Sequence, residues 1–455
     1  MAIHPGIFRQ YDIRGIVDRD LTTDAAAAIG RAYASLLHER GISGTVAVGR
    51  DNRPSGTSLR NALIDGLTSG GLNVVDIGVV PTPLLYWSLH HLDVQGGIQI
   101  TGSHNPPEYN GFKLCVGHDS LHGDGIDALR QIIDRGDFFR GSGSVRSERV
   151  IDRYVDDVVA RTGPLKRRLK VVIDCGNGVG AVVSHELFER LGIDVSYLFC
   201  ESDGTFPNHH PDPTVVDNLH DIIREVRARK ADLGIAFDGD ADRIGVVDAD
   251  GGIVWGDHIL ILYARDVLAR TGPGQWIIFD VKCSQALPHA IDAAGGKPVM
   301  WKTGHSLIKE KMKQLKAPLA GEMSGHMFFS EGFYGHDDAM YGAARLLRIV
   351  AASGVSVEEM LADVPKFVST PEIRVDCPDE LKFEVVERAV KHFRSLYDVI
   401  DVDGVRVLFG DGWGLIRASN TQPVLVTRYE ALTKERLAAI QGEMEDWLRS
   451  QGVAP

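Results

Sequence analysis

The chain has 455 residues, 44% hydrophobic and 24% charged, ordinary for a globular protein and too long for one hydrophobic core, so two to four domains are expected. With 62 acidic against 49 basic residues the net charge is −13, and the longest basic run is Lys166-Arg167-Arg168, which argues against nucleic acid or an anionic membrane as partner. No apolar stretch reaches membrane-spanning length, and the opening MAIHPGIFRQYDIRG lacks the basic-then-apolar order of a signal peptide, so the cytoplasm is the expected location.

Along the chain one pattern comes three times. An apolar strand runs into a polar, Gly- or Asp-bearing loop at VAVGRD from Val46, VVIDCGNG from Val171 and IIFDVK from Ile277. A helix-like segment follows each, then a second strand: Asn73 to Ile77, Asp194 to Phe199, Pro298 to Trp301. A third strand comes later, at Gly97 to Ile100, Leu233 to Phe237 and Pro318 to Ala320. Strands alternating with helices read as βαβ units. After about Phe367 the rhythm changes. A strand is predicted at Glu372 to Asp376, an amphipathic helix at Glu380 to Phe393, a strand at Val405 to Leu408 and a closing helix at Lys434 to Leu448. The predicted fold is α/β: three similar domains with mixed, mostly parallel sheets plus a smaller C-terminal α+β domain, around a central cleft. The expected divisions are 1–149, 150–252, 253–366 and 367–455. Cys115, Cys175, Cys200, Cys283 and Cys377 are odd in number, widely spaced and never CxxC, so neither a disulfide framework nor a zinc site is expected.

Each third strand is followed by a loop of different chemistry, in the place where open α/β sheets bind ligands. The first is TGSHNPPEYNGFK, Thr101 to Lys113, with Ser103 as a nucleophile candidate beside His104; it is not the GxSxG elbow of acyl transfer. The second is DGDADR. Asp238, Asp240 and Asp242 alternate directly after an apolar strand, and three hard ligands so close together suit a divalent cation, Mg²⁺ above all. An EF-hand is excluded, because Arg243 stands where its glycine and Ala249 where its glutamate belong. The third is GEMSGH. Glu322 and Ser324 suit vicinal sugar hydroxyls, and His326, with His305 nearby in sequence, titrates near neutrality. Further on, Arg417, Ser419, Asn420 and Thr421 in RASNTQP suit a phosphate dianion, which makes a second anion site apart from serine and metal.

TGSHNP, DGDxDR, GEMSGH and RxSNTxP, in that order over nearly the whole chain from Tyr11 onward, resemble the α-D-phosphohexomutases, most of all the bacterial phosphomannomutase/phosphoglucomutase branch. The resemblance implies a phosphohexomutase that interconverts the 1- and 6-phosphates of glucose or mannose through a hexose 1,6-bisphosphate. Ser103 is then phosphorylated in the resting enzyme and, with the three aspartates, holds one Mg²⁺. Glu322 and Ser324 contact the sugar, and the Arg417 loop the substrate phosphate. The likeness also brings Tyr11, Arg14, Lys113, Arg243, Lys282 and His305 into the cleft. Arg14 and Lys113 would neutralise charge in transfer, while His104, His326 and Lys113 stay open as general base and acid. Partners are small phosphosugars, and a monomer is expected. Two departures, Ala241 for glycine and Gln422 for threonine, touch fine geometry only, and Thr-Gly before Ser103 speaks against the phosphoglucosamine branch. A phosphoglucosamine mutase, a metal-dependent phosphatase and a non-catalytic phosphosugar binder are the alternatives.

Overall fold

The computed structural model describes residues 3–420 and 422–454. The first of four sheets contains β1 (Ile13–Ile16), β2 (Thr45–Arg50), β3 (Asn73–Val79), β4 (Gly96–Ile100), β5 (Tyr109–Val116), β6 (Asp119–Ser120) and β7 (Val145–Ser147), ordered β1-β5-β4-β2-β3-β7 with β6 on β5. The second contains β8 (Lys170–Asp174), β9 (Asp194–Leu198), β10 (Leu233–Phe237), β11 (Ile244–Asp248) and β12 (Ile253–Val254), ordered β12-β11-β10-β8-β9. The third is β13 (Trp276–Asp280), β14 (Lys297–Trp301), β15 (Leu319–Gly321) and β16 (Met327–Phe329), ordered β14-β13-β15-β16.

These three sheets share one plan. A parallel trio stands in the spatial order third-first-second, as β4-β2-β3, β10-β8-β9 and β15-β13-β14. The chain then turns back from the third strand into an antiparallel neighbour, β5, β11 or β16. Each chemical loop is therefore the turn of an antiparallel pair, at 101–108, 238–243 and 322–326. Every residue of β4 and β10 is buried, because both strands are covered on both faces; β10 is apolar throughout, and the one polar residue of β4, Gln99, donates its amide to the Val80 carbonyl at 2.8 Å.

The last sheet is wholly antiparallel: β17 (Val368–Ser369), β18 (Ile373–Asp376), β19 (Asp398–Ile400), β20 (Val405–Leu408), β21 (Gly412–Ala418) and β22 (Val424–Ala431), ordered β17-β22-β21-β20-β19 with β18 on β22. Its RASNTQP loop is again a hairpin turn, between β21 and β22.

One apolar core runs through the first three units without a break, from Val75 and Trp87 through Ile173 and Phe237 to Phe279 and Phe329. The C-terminal sheet buries its own, around Val375, Phe393, Ile416, Tyr429 and Met444. It meets the third unit over Val281, Trp413 and Leu415. There the buried Arg406 guanidinium stacks 3.6 Å from the Trp413 ring centre and donates to the Val281 and Cys283 carbonyls at 2.7 Å. Separate cores joined by a narrow contact permit rigid-body motion.

One expectation is overturned. Cys175 and Cys200 are joined in a disulfide, with Cα atoms 5.0 Å apart. Spacing could not reveal it: β8 and β9 are parallel neighbours with Asp174 opposite Leu198, so the residues beyond their ends meet across 25 positions of sequence. Cys115, Cys283 and Cys377 are buried free thiols. Among the described residues no helix is long and apolar enough to cross a membrane.

Candidate active site

Ser103 sits at a turn with φ 49°, the left-handed region that non-glycine residues enter at a cost of about 1–2 kcal/mol. Its N–H donates to Thr101 Oγ1 at 2.8 Å, and its Oγ lies 3.0 Å from His104 Nδ1 and 3.1 Å from Asp238 Oδ2. A serine from the first sheet thus faces a carboxylate from the second. Asp238 divides its labour: Oδ1 accepts the Asp242 and Arg243 N–H groups at 3.1 Å and closes the turn, leaving Oδ2 for the serine. Ala241 within that turn has φ 56°, so a glycine there would be less strained.

Asp238, Asp240 and Asp242 are fully buried and present oxygens within 4.8 Å of one another. Asp240 accepts from Thr82 Oγ1 at 2.5 Å, Thr101 Oγ1 at 3.2 Å and Lys113 Nζ at 3.0 Å, and the same ammonium contacts Asp242. One oxygen of Asp240 is buried without a hydrogen-bond partner. Buried, like-charged and partly orphaned carboxylates are expensive unless a cation joins them, so this donor set fits a hard divalent ion. Burial, reinforced by the neighbouring Asp242 and Asp240 charges, pushes Asp238 well above the usual carboxylate range. Burial also opposes the Asp242 charge, but Lys113 and His326 outweigh it and hold Asp242 well below that range. Lys113 is likewise held protonated against burial by the two aspartates. His104, by contrast, is held neutral by burial, with Arg243 and Arg14 adding to the effect.

The third loop meets the second edge to edge. Arg243 and His326 form a β-bridge, and Ile244 N–H donates to the Gly325 carbonyl at 3.0 Å. A Cβ on Gly325 would lie 2.3 Å from the Ile244 carbonyl oxygen, so only glycine permits this approach. His326 links the two loops, with Nδ1 2.7 Å from Glu322 and Nε2 3.1 Å from Asp242. Burial works against its charge, yet Asp242 and Glu322 prevail and its pKa is pushed up to about 9. Burial opposes Glu322 too, but His326 and the Gly304 N–H, 2.6 Å away, hold it down to about 2. Ser324 Oγ lies 3.2 Å from His326 Nδ1. Burial pulls His305 down to about 3 against the opposing pull of Asp337, 3.6 Å away.

The C-terminal loop contributes a second group. Arg417 Nε donates to Asp403 at 2.9 Å, and the same carboxylate oxygen accepts the Thr303 N–H of the third unit at 3.0 Å. Asn420 donates to the Tyr11 hydroxyl, which donates in turn to the Thr303 carbonyl at 2.8 Å. Residues from the first, third and fourth sheets meet there. The buried Lys382 ammonium holds the loop from beneath, donating to the Ser419 carbonyl at 2.5 Å and the Gln422 carbonyl at 3.0 Å. Because those bonds are to backbone, Gln422 keeps the loop's form whatever its side chain. Thr421 lies outside the described residues. Lys282 donates to Glu372 at 3.0 Å, and Arg14 to Asp12 at 2.6 Å and to Asn105.

Eleven of the singled-out residues fall into two groups. Ser103, His104, Lys113, Arg243, His326 and the three aspartates make the first. Tyr11, Asn420 and Arg417 make the second, and Gly304 joins it to the first by donating to Glu322. Sequence reasoning missed Asp403, Lys382, Thr82, and Asp51 and Arg53 beneath the serine. Their partners are largely backbone groups or residues distant in sequence, and neither leaves a local motif.

Models of the phosphoglucomutase/phosphomannomutase family match the chain four times: alpha/beta/alpha domain I at residues 5–140, domain II at 152–252, domain III at 255–367 and the C-terminal domain at 372–446. The chain is 48% identical over 448 residues to the phosphomannomutase/phosphoglucomutase of Pseudomonas aeruginosa, covering 98% of this chain and 96% of that one. It is 46% identical over 454 residues to the phosphoglucomutase of Neisseria gonorrhoeae, covering 99% and 98%. The crystal structure of a phosphoglucomutase/phosphomannomutase family protein from Burkholderia thailandensis matches it with a TM-score of 0.92 at 43% identity, covering 99% of this chain and 98% of that one.

Proposed function

The chain belongs to the phosphoglucomutase/phosphomannomutase family, and from that premise we propose that it is a phosphohexomutase that interconverts the 1- and 6-phosphates of glucose, mannose or both. The observation that carries this reading is Ser103 Oγ held 3.0 Å from His104 and 3.1 Å from a carboxylate of the buried aspartate triad. We take the four domains as 1–149, 150–252, 253–366 and 367–455, in a cytoplasmic monomer acting on small phosphosugars.

In this reading Ser103 carries a phosphoryl group at rest. The bond from phosphorus to Oγ breaks as one forms to the free hydroxyl of a bound hexose monophosphate, whose proton passes into the cluster of His104, His326 and Lys113, which returns one to the departing Oγ. Glu322 and Ser324 hold sugar hydroxyls, while Arg417, Ser419, Asn420 and Thr421 grip the phosphate that is not in transfer. The resulting 1,6-bisphosphate turns end for end and returns its other phosphate to Ser103; added bisphosphate serves as activator. Asp238, Asp240, Asp242 and the Ser103 phosphoryl group would hold Mg²⁺, which would supply positive charge to the phosphoryl oxygens. Arg14 and Lys113 add to that charge, and Tyr11, Arg243, Lys282 and His305 line the substrate path. The C-terminal domain, with its own core, opens about the segment near Phe367 to Pro371 to let the intermediate turn.

A coupled assay on glucose 1-phosphate and mannose 1-phosphate should yield the 6-phosphates without stoichiometric release of free phosphate. Preference for the amino sugar phosphate, phosphate release matching turnover, or no turnover at all would each overturn the reading. Arg417→Ala should weaken substrate binding by roughly 1.5–3 kcal/mol, the worth of a charge-assisted hydrogen bond, while Ser103 stays phosphorylatable. It should also let more bisphosphate escape, visible by NMR during turnover. Unchanged affinity together with unchanged leakage would reduce Arg417 to part of a polar turn.

A further inference from the structure

We propose that Arg53 is a positioning residue for phosphoryl transfer: its buried guanidinium fixes the backbone that aims Ser103, without touching substrate. The inference rests on Ser103 as the phosphoryl carrier.

The Arg53 side chain is fully buried, and it spends its donors on one loop. Nη2 donates to the Ser103 carbonyl at 2.8 Å and the Asn105 carbonyl at 2.6 Å; Nη1 donates to the Tyr109 carbonyl at 2.9 Å and to the Pro106 carbonyl. A guanidinium carries five N–H donors in a rigid plane, and Nε supplies the fifth, to Asp51 Oδ2 at 3.1 Å. Asp51 relays the hold to the other side of the serine, because Oδ2 also accepts the Gly102 N–H at 3.0 Å. The backbone on both sides of Ser103 is thus tied to one ion pair, through the Gly102 N–H and the Ser103 carbonyl.

Three further features fit a fixed part. A Cβ on Gly102 would come within 2.5 Å of the Arg53 guanidinium carbon, so the plane lies flat against the backbone just before the serine. The other face is covered by Phe206 of the second unit, 5.1 Å from ring centre to guanidinium. Asn52, next in sequence, donates across the same boundary to the Asn177 carbonyl at 2.7 Å and Ser202 Oγ at 3.0 Å. The group that shapes the serine loop is therefore anchored to the domain that supplies the aspartates. A left-handed serine persists only where its surroundings over-determine it, and Arg53 is what over-determines Ser103. Lysine offers charge without the planar fork and cannot reach four carbonyls at once.

Arg53→Lys, Arg53→Ala, Gly102→Ala and the control Leu63→Ala test this in the full chain. Leu63 is a fully buried core residue of the same unit, remote from the loop's polar contacts. Arg53→Lys and Gly102→Ala should lower kcat about 100-fold with KM changed by no more than about threefold, the mark of a displaced reacting group rather than lost binding. Leu63→Ala, with an equal or larger fall in Tm, should keep kcat within about twofold of the wild type. Guanidinium ion added to Arg53→Ala should restore activity at least about tenfold, as no merely structural loss would allow. Amide hydrogen exchange over residues 101–109 should rise in Arg53→Lys, and that readout does not depend on turnover. Wild-type kcat or wild-type exchange in Arg53→Lys overturns the proposal, as does a kcat in Leu63→Ala that falls in step with its stability. If Arg53→Ala fails to fold, the lysine and Gly102→Ala variants decide. An inactive wild type overturns the mutase reading, and the exchange measurement then still decides the role of Arg53.

Discussion

Ser103→Ala is expected to abolish mutase turnover by a factor on the order of 10⁴ to 10⁶, the scale seen when a covalent nucleophile is removed from a machine that acts as a unit. The loss should be chemical and not structural. Ser103 holds its place through its N–H on Thr101 Oγ1 and its carbonyl on Arg53 Nη2, and alanine keeps both. Alanine also accepts the left-handed φ of 49° about as well as serine does. Only the Oγ contacts to His104 and Asp238 disappear. The variant should therefore melt close to the wild type, bind hexose monophosphate at near-normal affinity, and show no phosphoryl group by intact-protein mass spectrometry after incubation with hexose 1,6-bisphosphate. A peptide map should place the wild-type modification on Ser103. A Ser103→Ala enzyme at full rate, or a phosphoryl group on another residue, would overturn the mechanism.

Asp238→Asn should cut kcat about 10²- to 10³-fold, the scale of removing one preorganised electrostatic partner of a developing charge. Its effect on stability should run the other way. Asn keeps an oxygen where Asp238 Oδ1 accepts the Asp242 and Arg243 N–H groups, so the turn survives. It removes one of three mutually repelling buried carboxylates, one whose charge burial and its two neighbours disfavour. Metal-free Asp238→Asn should consequently melt no lower than metal-free wild type, whereas the rise in Tm that Mg²⁺ gives the wild type should shrink or vanish. Calorimetry with and without Mg²⁺, beside turnover of EDTA-treated enzyme, measures both. Full rate in metal-free enzyme, or an undiminished Mg²⁺ stabilisation in Asp238→Asn, would overturn the metal assignment.

These two effects differ in how they can be read. The strings that hold Ser103 and the three aspartates could be singled out locally, because a tight turn and an alternating acid loop must be written in contiguous residues to take their shape. The Asp238 turn is an instance: its carboxylate caps N–H groups only four and five residues away. The three-fold α/β plan was legible for the same reason. A strand buried on both faces favours an unbroken apolar run, as β10 is, and its loop has to follow it.

Tertiary structure decided what those loops meet. Ser103 faces Asp238 across 135 positions, and His326 joins Glu322 to Asp242 because a glycine lets two hairpin turns approach edge to edge. The disulfide between Cys175 and Cys200 exists because two parallel strands end side by side, a register no spacing of cysteines encodes. Arg53 and Lys382 bind mostly carbonyl oxygens, which every residue carries, so their partners leave no mark in the sequence. Amino-acid order by itself determined the chemistry of each loop and the plan of each unit, since both follow from interactions among near neighbours. Which loops converge, which cations hold them and which charges they perturb depended on how whole sheets pack, and that is settled only by contacts between residues far apart in the chain.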